Sequence, residues 1–196
     1  YRIANLQELG ITAEMIAACP ISGDIYIMAN YHLLLMDSDG NFVQLGEAIC
    51  GDPWGMVVSN DGQKLHIAES GAVITVFLPQ QQLSDLRMTA SSETTQGLES
   101  ANVILPNVEE SLTRNNDWPV IGTMIDEEYT VEVVYQSKLI PNLVRIDQND
   151  QIFIMNNDDN TIYQLHENGE ITVKFSMPGA WINCFGFDSK NNLWMT

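Results

Sequence analysis

The stretch Met56–Glu69, with the sequence MVVSNDGQKLHIAE, decides the fold because it contains a complete strand–turn–strand unit. Three apolar residues precede a Ser-Asn-Asp-Gly turn, and a second mostly apolar run that contains His66 follows it. Asp-Gly between two apolar runs is a strong hairpin signal, because glycine adopts positive φ at little cost. The stretch therefore predicts two short antiparallel strands joined by a tight turn.

This unit is repeated along the chain. The other copies are Ala17–Ala29 (AACPISGDIYIMA), Val144–Asn156 (VRIDQNDQIFIMN) and Phe185–Thr196 (FGFDSKNNLWMT). Successive units lie 40, 87 and 41 residues apart when they are aligned on Tyr26, His66, Phe153 and Trp194. The middle step is about twice the others, which predicts one degenerate unit between residues 84 and 139.

Two more strand-like runs, joined by a second tight turn, follow the first and third units. These runs are Leu33–Met36 with Phe42–Leu45, and Thr161–Leu165 with Ile171–Phe175. Four short strands per unit make one blade of a β-propeller. We predict a single all-β propeller domain over residues 1–196, with about five four-stranded blades and an irregular blade or insertion at 84–139.

The two ends of the sequence look complementary. Tyr1–Leu9 resembles the second hairpin of a blade, whereas Ala180–Thr196 supplies only a first hairpin. Pairing the two would complete one blade and close the ring, which removes exposed edge strands. The alternative is that the chain is part of a six- or seven-bladed ring. The chain does not begin with Met and ends within an apparent strand, so we expect a processed or partial chain.

Two stretches resemble the propeller repeats of the NHL and SMP-30/gluconolactonase-like families: PWGMVVSNDGQKLHIAES (53–70) and PNLVRIDQNDQIFIMNNDDNTIYQL (141–165). Those families repeat Pro-x-Gly, an apolar strand, an Asp-x-x-Gly turn and a strand with an aromatic residue. The chain departs twice, with Leu143 and Asp150 in place of the usual glycines. The resemblance covers about residues 11–80 and 140–196 and implies a propeller fold. It implies much less about activity, because the pattern encodes strands and turns.

The residue that opens the first strand of each unit is expected to face the central channel, where propellers generally bind ligands. Trp54, Asn142 and Asn183 occupy this position in three units, and Glu14 lies near it in the first. In SMP-30-like enzymes, Glu, Asn and Asp side chains at comparable positions hold a divalent metal, usually calcium, for which hard oxygen ligands are suited. The resemblance thus makes Glu14, Asn142 and Asn183 candidate calcium ligands. The alternative is that the Asn side chains cap strand ends.

The tryptophans support a second kind of site. Trp54 and Trp181 lie where strands are predicted to start, and amphipathic aromatic side chains there suit a rim that binds a sugar or a peptide. Trp194 and His66 occupy the aligned second-strand position, so we expect both to pack between blades.

The charge of the chain limits its partners. Its 26 acidic and 8 basic side chains give a net charge of −18, which disfavours nucleic acid and anionic membranes because affinity for phosphate comes largely from Lys and Arg. Cationic partners and divalent metals are compatible with it. The longest nearly apolar stretch, Met15–Ile21, is too short to span a bilayer, and no signal peptide is visible, so the compartment stays open.

Three functions follow from these features. The first is a non-enzymatic binding or scaffold module for a protein or a small ligand, because no Gly-x-Ser-x-Gly, His-Glu-x-x-His or phosphate-binding glycine loop is present. The second is a calcium-dependent, lactonase-like hydrolase, which the resemblance implies. The third is a carbohydrate-binding propeller.

Overall fold

The computed structural model describes residues 12–37, 40, 42–47, 50, 53–78, 123–124, 129–136, 139–156, 158–179 and 181–196. These residues form fifteen β-strands. The strands are β1 (Ala13–Ala18), β2 (Ile25–Ala29), β3 (His32–Met36), β4 (Phe42–Glu47), β5 (Pro53–Val58), β6 (Lys64–Glu69), β7 (Ala72–Phe77), β8 (Thr123–Met124), β9 (Thr130–Gln136), β10 (Pro141–Ile146), β11 (Ile152–Asn156), β12 (Thr161–Leu165), β13 (Ile171–Ser176), β14 (Phe185–Phe187) and β15 (Leu193–Met195). Within the same ranges, no helix is long and apolar enough to cross a membrane.

The strands form antiparallel blades. Blade 1 has the strand order β1-β2-β3-β4, blade 2 has β5-β6-β7-β9, and blade 3 has β10-β11-β12-β13. The hairpin β14–β15 forms a separate two-stranded sheet, which we call blade 4. The first strands of successive blades contact each other, β1 with β5, β5 with β10 and β10 with β14. The predicted all-β propeller of four-stranded blades is therefore confirmed.

Most of the segment 84–139, for which the sequence predicts an irregular blade or an insertion, lies outside the described residues. The strand β9, which we expected in that unit, pairs along its length with β7 and is the fourth strand of blade 2. Blades 2 and 3 are direct neighbours through β5 and β10. The long middle step therefore reflects the segment 79–128, which is inserted between the third and fourth strands of one blade. The proposed half-blade at Tyr1–Leu9 lies outside the described residues.

The inserted segment also contributes to blade 1. Within it, the short strand β8 pairs antiparallel with the outer strand β4, through Gly46 with Met124 and Glu47 with Thr123. This pairing covers part of the edge that β4 would otherwise present, since an unpaired edge strand is open to association with other chains.

The aligned second-strand position faces the next blade in chain order. Tyr26 packs in the core shared by blades 1 and 2, and Phe153 lies 4.6 Å (ring centroids) from Phe187 of blade 4. The prediction that Trp194 packs between blades is wrong, because its side chain is 65% exposed. The physical reason is that its face points beyond blade 4, where no further blade is among the described residues.

The turns between the first and second strands link neighbouring blades. A Cβ placed on Gly62 in blade 2 would lie 3.1 Å from Sγ of Cys19 in blade 1. The backbone N–H of Asn60 donates to Asp150 Oδ1 (2.6 Å), and Asn60 Nδ2 donates to the carbonyl oxygen of Asp147 (2.8 Å). These contacts join three consecutive blades at one end of their first strands.

The same turn explains one departure from the family pattern. Asp150 adopts the left-handed conformation (φ 56°) that the usual glycine would take at low cost. A side chain there costs some backbone strain, but its carboxylate accepts the hydrogen bond from Asn60 of blade 2. A glycine has no side chain that could accept this hydrogen bond. Asp150 therefore adds a link between blades 2 and 3 at the cost of some backbone strain.

Candidate functional site

One β-bulge recurs at the same position of the first strand in every blade. The pairing register shifts between Ala13 and Met15 in blade 1, between Pro53 and Gly55 in blade 2, and between Pro141 and Leu143 in blade 3. In blade 4, the amides of Asn183 and Cys184 both donate to the carbonyl oxygen of Thr196. The residues at the bulge are therefore Glu14, Trp54, Asn142 and Asn183.

The bulge lies at the strand position where the sequence aligns the candidate residues. The sequence aligned Trp54, Asn142 and Asn183 and placed Glu14 near them, and in the structure Glu14 occupies the equivalent position. A bulge leaves its extra residue out of the hydrogen-bonding ladder and re-aims its side chain. The first strands of neighbouring blades contact each other, so each of the four residues lies on, or directly before, a strand that neighbours the next one. Trp181 is not in this register and lies two residues before Asn183.

A close approach between blades holds the bulges in place. A Cβ on Gly55, directly after Trp54, would lie 3.0 Å from the backbone nitrogen of Val144 and 3.1 Å from Cα of Leu143. Glycine is needed here because backbone atoms cannot move aside as a flexible side chain can. The Pro-x-Gly element of the repeat thus places β5 against β10 at the height of the bulges.

The bulge residues differ in exposure and chemistry. Trp54 is 43% exposed, and Trp181 is also exposed. Glu14 and Asn183 are exposed, whereas Asn142 is half-buried. The set offers an indole face, two amides that both donate and accept, and one carboxylate. This composition can hold a polar ligand that has an apolar face.

The side chain of Asn142 has an unsatisfied hydrogen-bond acceptor. Its Oδ1 atom is buried and has no hydrogen-bond partner among the described residues. A buried acceptor without a partner costs about 1–3 kcal/mol. A ligand donor or a bound cation at this atom would remove that cost. The strand-capping role expected for this side chain is instead performed by Asn156, whose Oδ1 accepts from the amide of Ile140 (3.1 Å).

The bulge residues alone do not fit a resident calcium ion. Calcium takes six to eight oxygen ligands, and its affinity depends on how many of them are charged. Glu14, Asn142 and Asn183 supply one carboxylate and two amides, and Glu14 already has another interaction. Within the described part of the chain, no group of three or more His, Cys, Asp or Glu side chains could hold a metal ion.

No family model matches the chain, and no curated protein matches it. Solved structures do match. A catalytically inactive virginiamycin B lyase from Staphylococcus aureus, solved with quinupristin, has a TM-score of 0.52 and 11% identity over 94% of this chain and 47% of that one. Hydrazine synthase from Kuenenia stuttgartiensis has a TM-score of 0.54 and 10% identity over 91% of this chain and 40% of that one.

The chain shares their fold. Identities near 10% show nothing finer, so the resemblance to NHL and SMP-30-like repeats is confirmed only as a propeller-type fold. The chain spans about half or less of the length of these two structures.

Proposed function

We propose that the chain is a non-enzymatic binding module that recognises its ligand through Glu14, Trp54, Asn142 and Asn183. The observation that carries this proposal is the recurrence of one bulge at one position in four blades. Bulges are over-represented beside functional sites, where they re-aim a side chain. Strand pairing does not require a tryptophan or an amide at these positions, so ligand contact is the better account of them.

The chemistry of the set favours a polar ligand with an apolar face, such as a sugar ring or an extended peptide. An indole provides apolar area at low entropic cost, and hot spots of binding are enriched in tryptophan. The unpartnered Oδ1 of Asn142 provides an acceptor at the equivalent position of the neighbouring blade. The −18 net charge adds a preference for ligands that are neutral or cationic.

Replacing Trp54 by alanine tests the proposal. We expect the wild-type chain to bind a subset of probes on glycan and peptide arrays, and Trp54→Ala to weaken that binding by about tenfold or more, because a truncated hot spot costs about 2 kcal/mol. Biolayer interferometry with the best array probe measures the change. Trp194→Ala is the matched control, since this tryptophan is also exposed but lies outside the bulge register.

Each array distinguishes one ligand class. Glycan binding without peptide binding identifies a carbohydrate-binding propeller, and the reverse identifies a protein-binding module. Silence on both arrays, or equal losses in Trp54→Ala and Trp194→Ala, would contradict the proposed site.

The second candidate is a calcium-dependent hydrolase, which is favoured by the buried Oδ1 of Asn142 in register with Asn183 and Glu14. Because the set has only one carboxylate, we expect calorimetry to show calcium binding no tighter than the millimolar range. We also expect Asn142→Ala to leave the titration unchanged. Micromolar binding that Asn142→Ala abolishes would replace the binding module with the enzyme as the leading function.

A further inference from the structure

A recess lies between blades 2 and 3, at the opposite end of the first strands from the bulges. It is a cleft of about 500 Å³. Blade 2 contributes the sheet face that contains His66 and Thr75, together with the turn at Ser59–Lys64. Blade 3 contributes the turn Asn149–Ile152 and the end of β12. Its volume lies in the range of pockets that take small molecules.

The side chains of blade 2 that face the cleft differ from the equivalent side chains of blade 1. Across blade 1, the paired residues Tyr26, Leu35 and Val43 form an apolar row, and Tyr26 fills the space towards blade 2. The equivalent row across blade 2 is His66, Thr75 and Glu132.

Blade 3 has Phe153 at the position of His66, and it packs on Phe187 of blade 4. The imidazole of His66 is smaller than the side chains of Tyr26 and Phe153 at the equivalent positions, which leaves room for the cleft between blades 2 and 3.

His66 forms the floor of the cleft. It is 3% exposed, and its Nδ1 atom is 2.8 Å from Thr75 Oγ1. Burial, reinforced by the positive charge of Lys64 and opposed by Asp61, lowers the pKa of His66 to about 4. The ring is neutral near pH 7 and adds no positive charge to the cleft.

The charged side chains at the mouth are mostly acidic. Four carboxylates line the cleft: Asp61, Glu132, Asp150 and Glu167. Among the lining residues, Lys64 carries the opposing positive charge, and its ammonium group lies 5.9 Å from the centre of the Phe77 ring. A cleft lined by one sign of charge concentrates ions of the opposite sign.

We propose that this cleft binds a small aliphatic diamine, with its ammonium groups at the acidic mouth and its methylene chain against the apolar wall. Phe77, Val134, Ile152 and Leu165 supply that wall. The neutral His66 ring offers Nε2 to a ligand N–H or, in the other tautomer, donates to a bound water. The proposal is independent of the function assigned to the bulge residues, because the two sites lie at opposite ends of the blades.

The arrangement of the carboxylates favours an extended organic cation over a metal ion. A metal needs converging ligands, and no three His, Cys, Asp or Glu side chains in the described ranges converge on one point. Two oxygens are also engaged already, since Asp150 Oδ1 accepts from Asn60 and Asp61 Oδ1 accepts from Ser59 (2.6 Å). Separated charges with an apolar wall between them match a diamine.

Calorimetric titration with 1,4-diaminobutane tests the proposal. We expect binding by the wild-type chain and a loss of about fivefold or more in Glu132→Gln, because one charge at the mouth is removed. Glu170→Gln is the matched control: it removes the same charge from an exposed turn of blade 3 outside the cleft, and we expect at most a twofold change. His66→Phe, which copies Phe153, removes the ring nitrogens from the floor of the cleft and narrows it, and is expected to weaken binding.

Several results would overturn the proposal. Absence of diamine binding at 10 mM ligand, on the order of the weakest useful affinity, would do so. Equal losses in Glu132→Gln and Glu170→Gln would show general attraction to an acidic surface. Binding of 1,4-butanediol as strong as that of the diamine would exclude charge recognition, and binding of a Lys-rich peptide without the diamine would identify a protein surface. A thermal melt of each variant confirms that it is folded before titration.

Discussion

Gly55→Ala is expected to lower the free energy of unfolding by about 2 kcal/mol, even though it adds only a methyl group. The new Cβ would lie 3.0 Å from the backbone nitrogen of Val144, which is closer than most Cβ contacts in proteins. The atoms nearest to the new Cβ belong to the backbone of β10, so β5 and β10 must move apart to accommodate it. Overpacking of this kind costs about 1–3 kcal/mol. A chain of this size loses about 2–4 °C in Tm per kcal/mol, so calorimetry should show a fall of roughly 4–8 °C.

The matched control for Gly55→Ala is Gly186→Ala. Gly186 also lies in a first strand, but nothing is within 4 Å of its added Cβ. Alanine at a compatible position raises stability by about 0.4–1 kcal/mol, because it restricts the unfolded chain. Equal losses in the two variants would show that the contact between β5 and β10 is not the cause.

Asp147→Ala is expected to lower the free energy of unfolding by about 3 kcal/mol at neutral pH. The residue is 3% exposed, and its Oδ1 accepts from the amides of Asn149 (2.8 Å) and Gln151 (2.9 Å). Its Oδ2 accepts from Nδ2 of Asn191 (2.9 Å) in blade 4. Removing the carboxylate breaks these three partly buried hydrogen bonds, and a hydrogen bond to a charged group contributes about 1.5–3 kcal/mol. Urea denaturation measures the loss.

The equivalent turn of blade 4 provides the control for Asp147→Ala. Asp188 accepts from the amides of Lys190 and Asn192, but its bonds stay within its own hairpin and are exposed. We expect Asp188→Ala to cost clearly less than Asp147→Ala. A cost as large would show that the link between blades adds nothing.

The cost of Asp147→Ala should also depend on pH. Burial alone would raise the pKa of Asp147, but the hydrogen bonds from Asn191, Gln151 and Asn149 outweigh it and hold the pKa below its ordinary value of about 3.9. The stability from this carboxylate is therefore fully present above about pH 4 and is lost as the pH falls through the folded-state pKa. The difference between wild type and variant should be constant from pH 5 to 8 and shrink below pH 4.

Much of the site register could be predicted because the repeat is local. Each unit encodes two strands and a turn within about fourteen residues, and aligning the units places Trp54, Asn142 and Asn183 at one position. The bulge itself was not predicted, because one extra residue in a strand leaves no mark in an apolar pattern. The Pro-x-Gly signal at Gly55 was visible, but the backbone that it contacts belongs to another blade.

The cleft was missed for a related reason. His66 was correctly aligned with Tyr26 and Phe153, and the sequence interpretation treated it as a packing residue like them. Whether a smaller polar side chain leaves a void depends on the facing blade, which the local pattern does not describe. The pairing of His66 with Thr75 and Glu132 could be recognised only once β9 was placed beside β7.

The sequence by itself determined the blade, since alternating apolar residues and turn-forming Gly, Asn and Asp select short antiparallel strands. The tertiary structure alone decided which strand completes blade 2. Backbone hydrogen bonds accept any strand of suitable length, and lengthening a connection adds only about 0.6 kcal/mol for each doubling. The strand β9 therefore joins β7 across the insertion of residues 79–128, and the 87-residue step separates two adjacent blades.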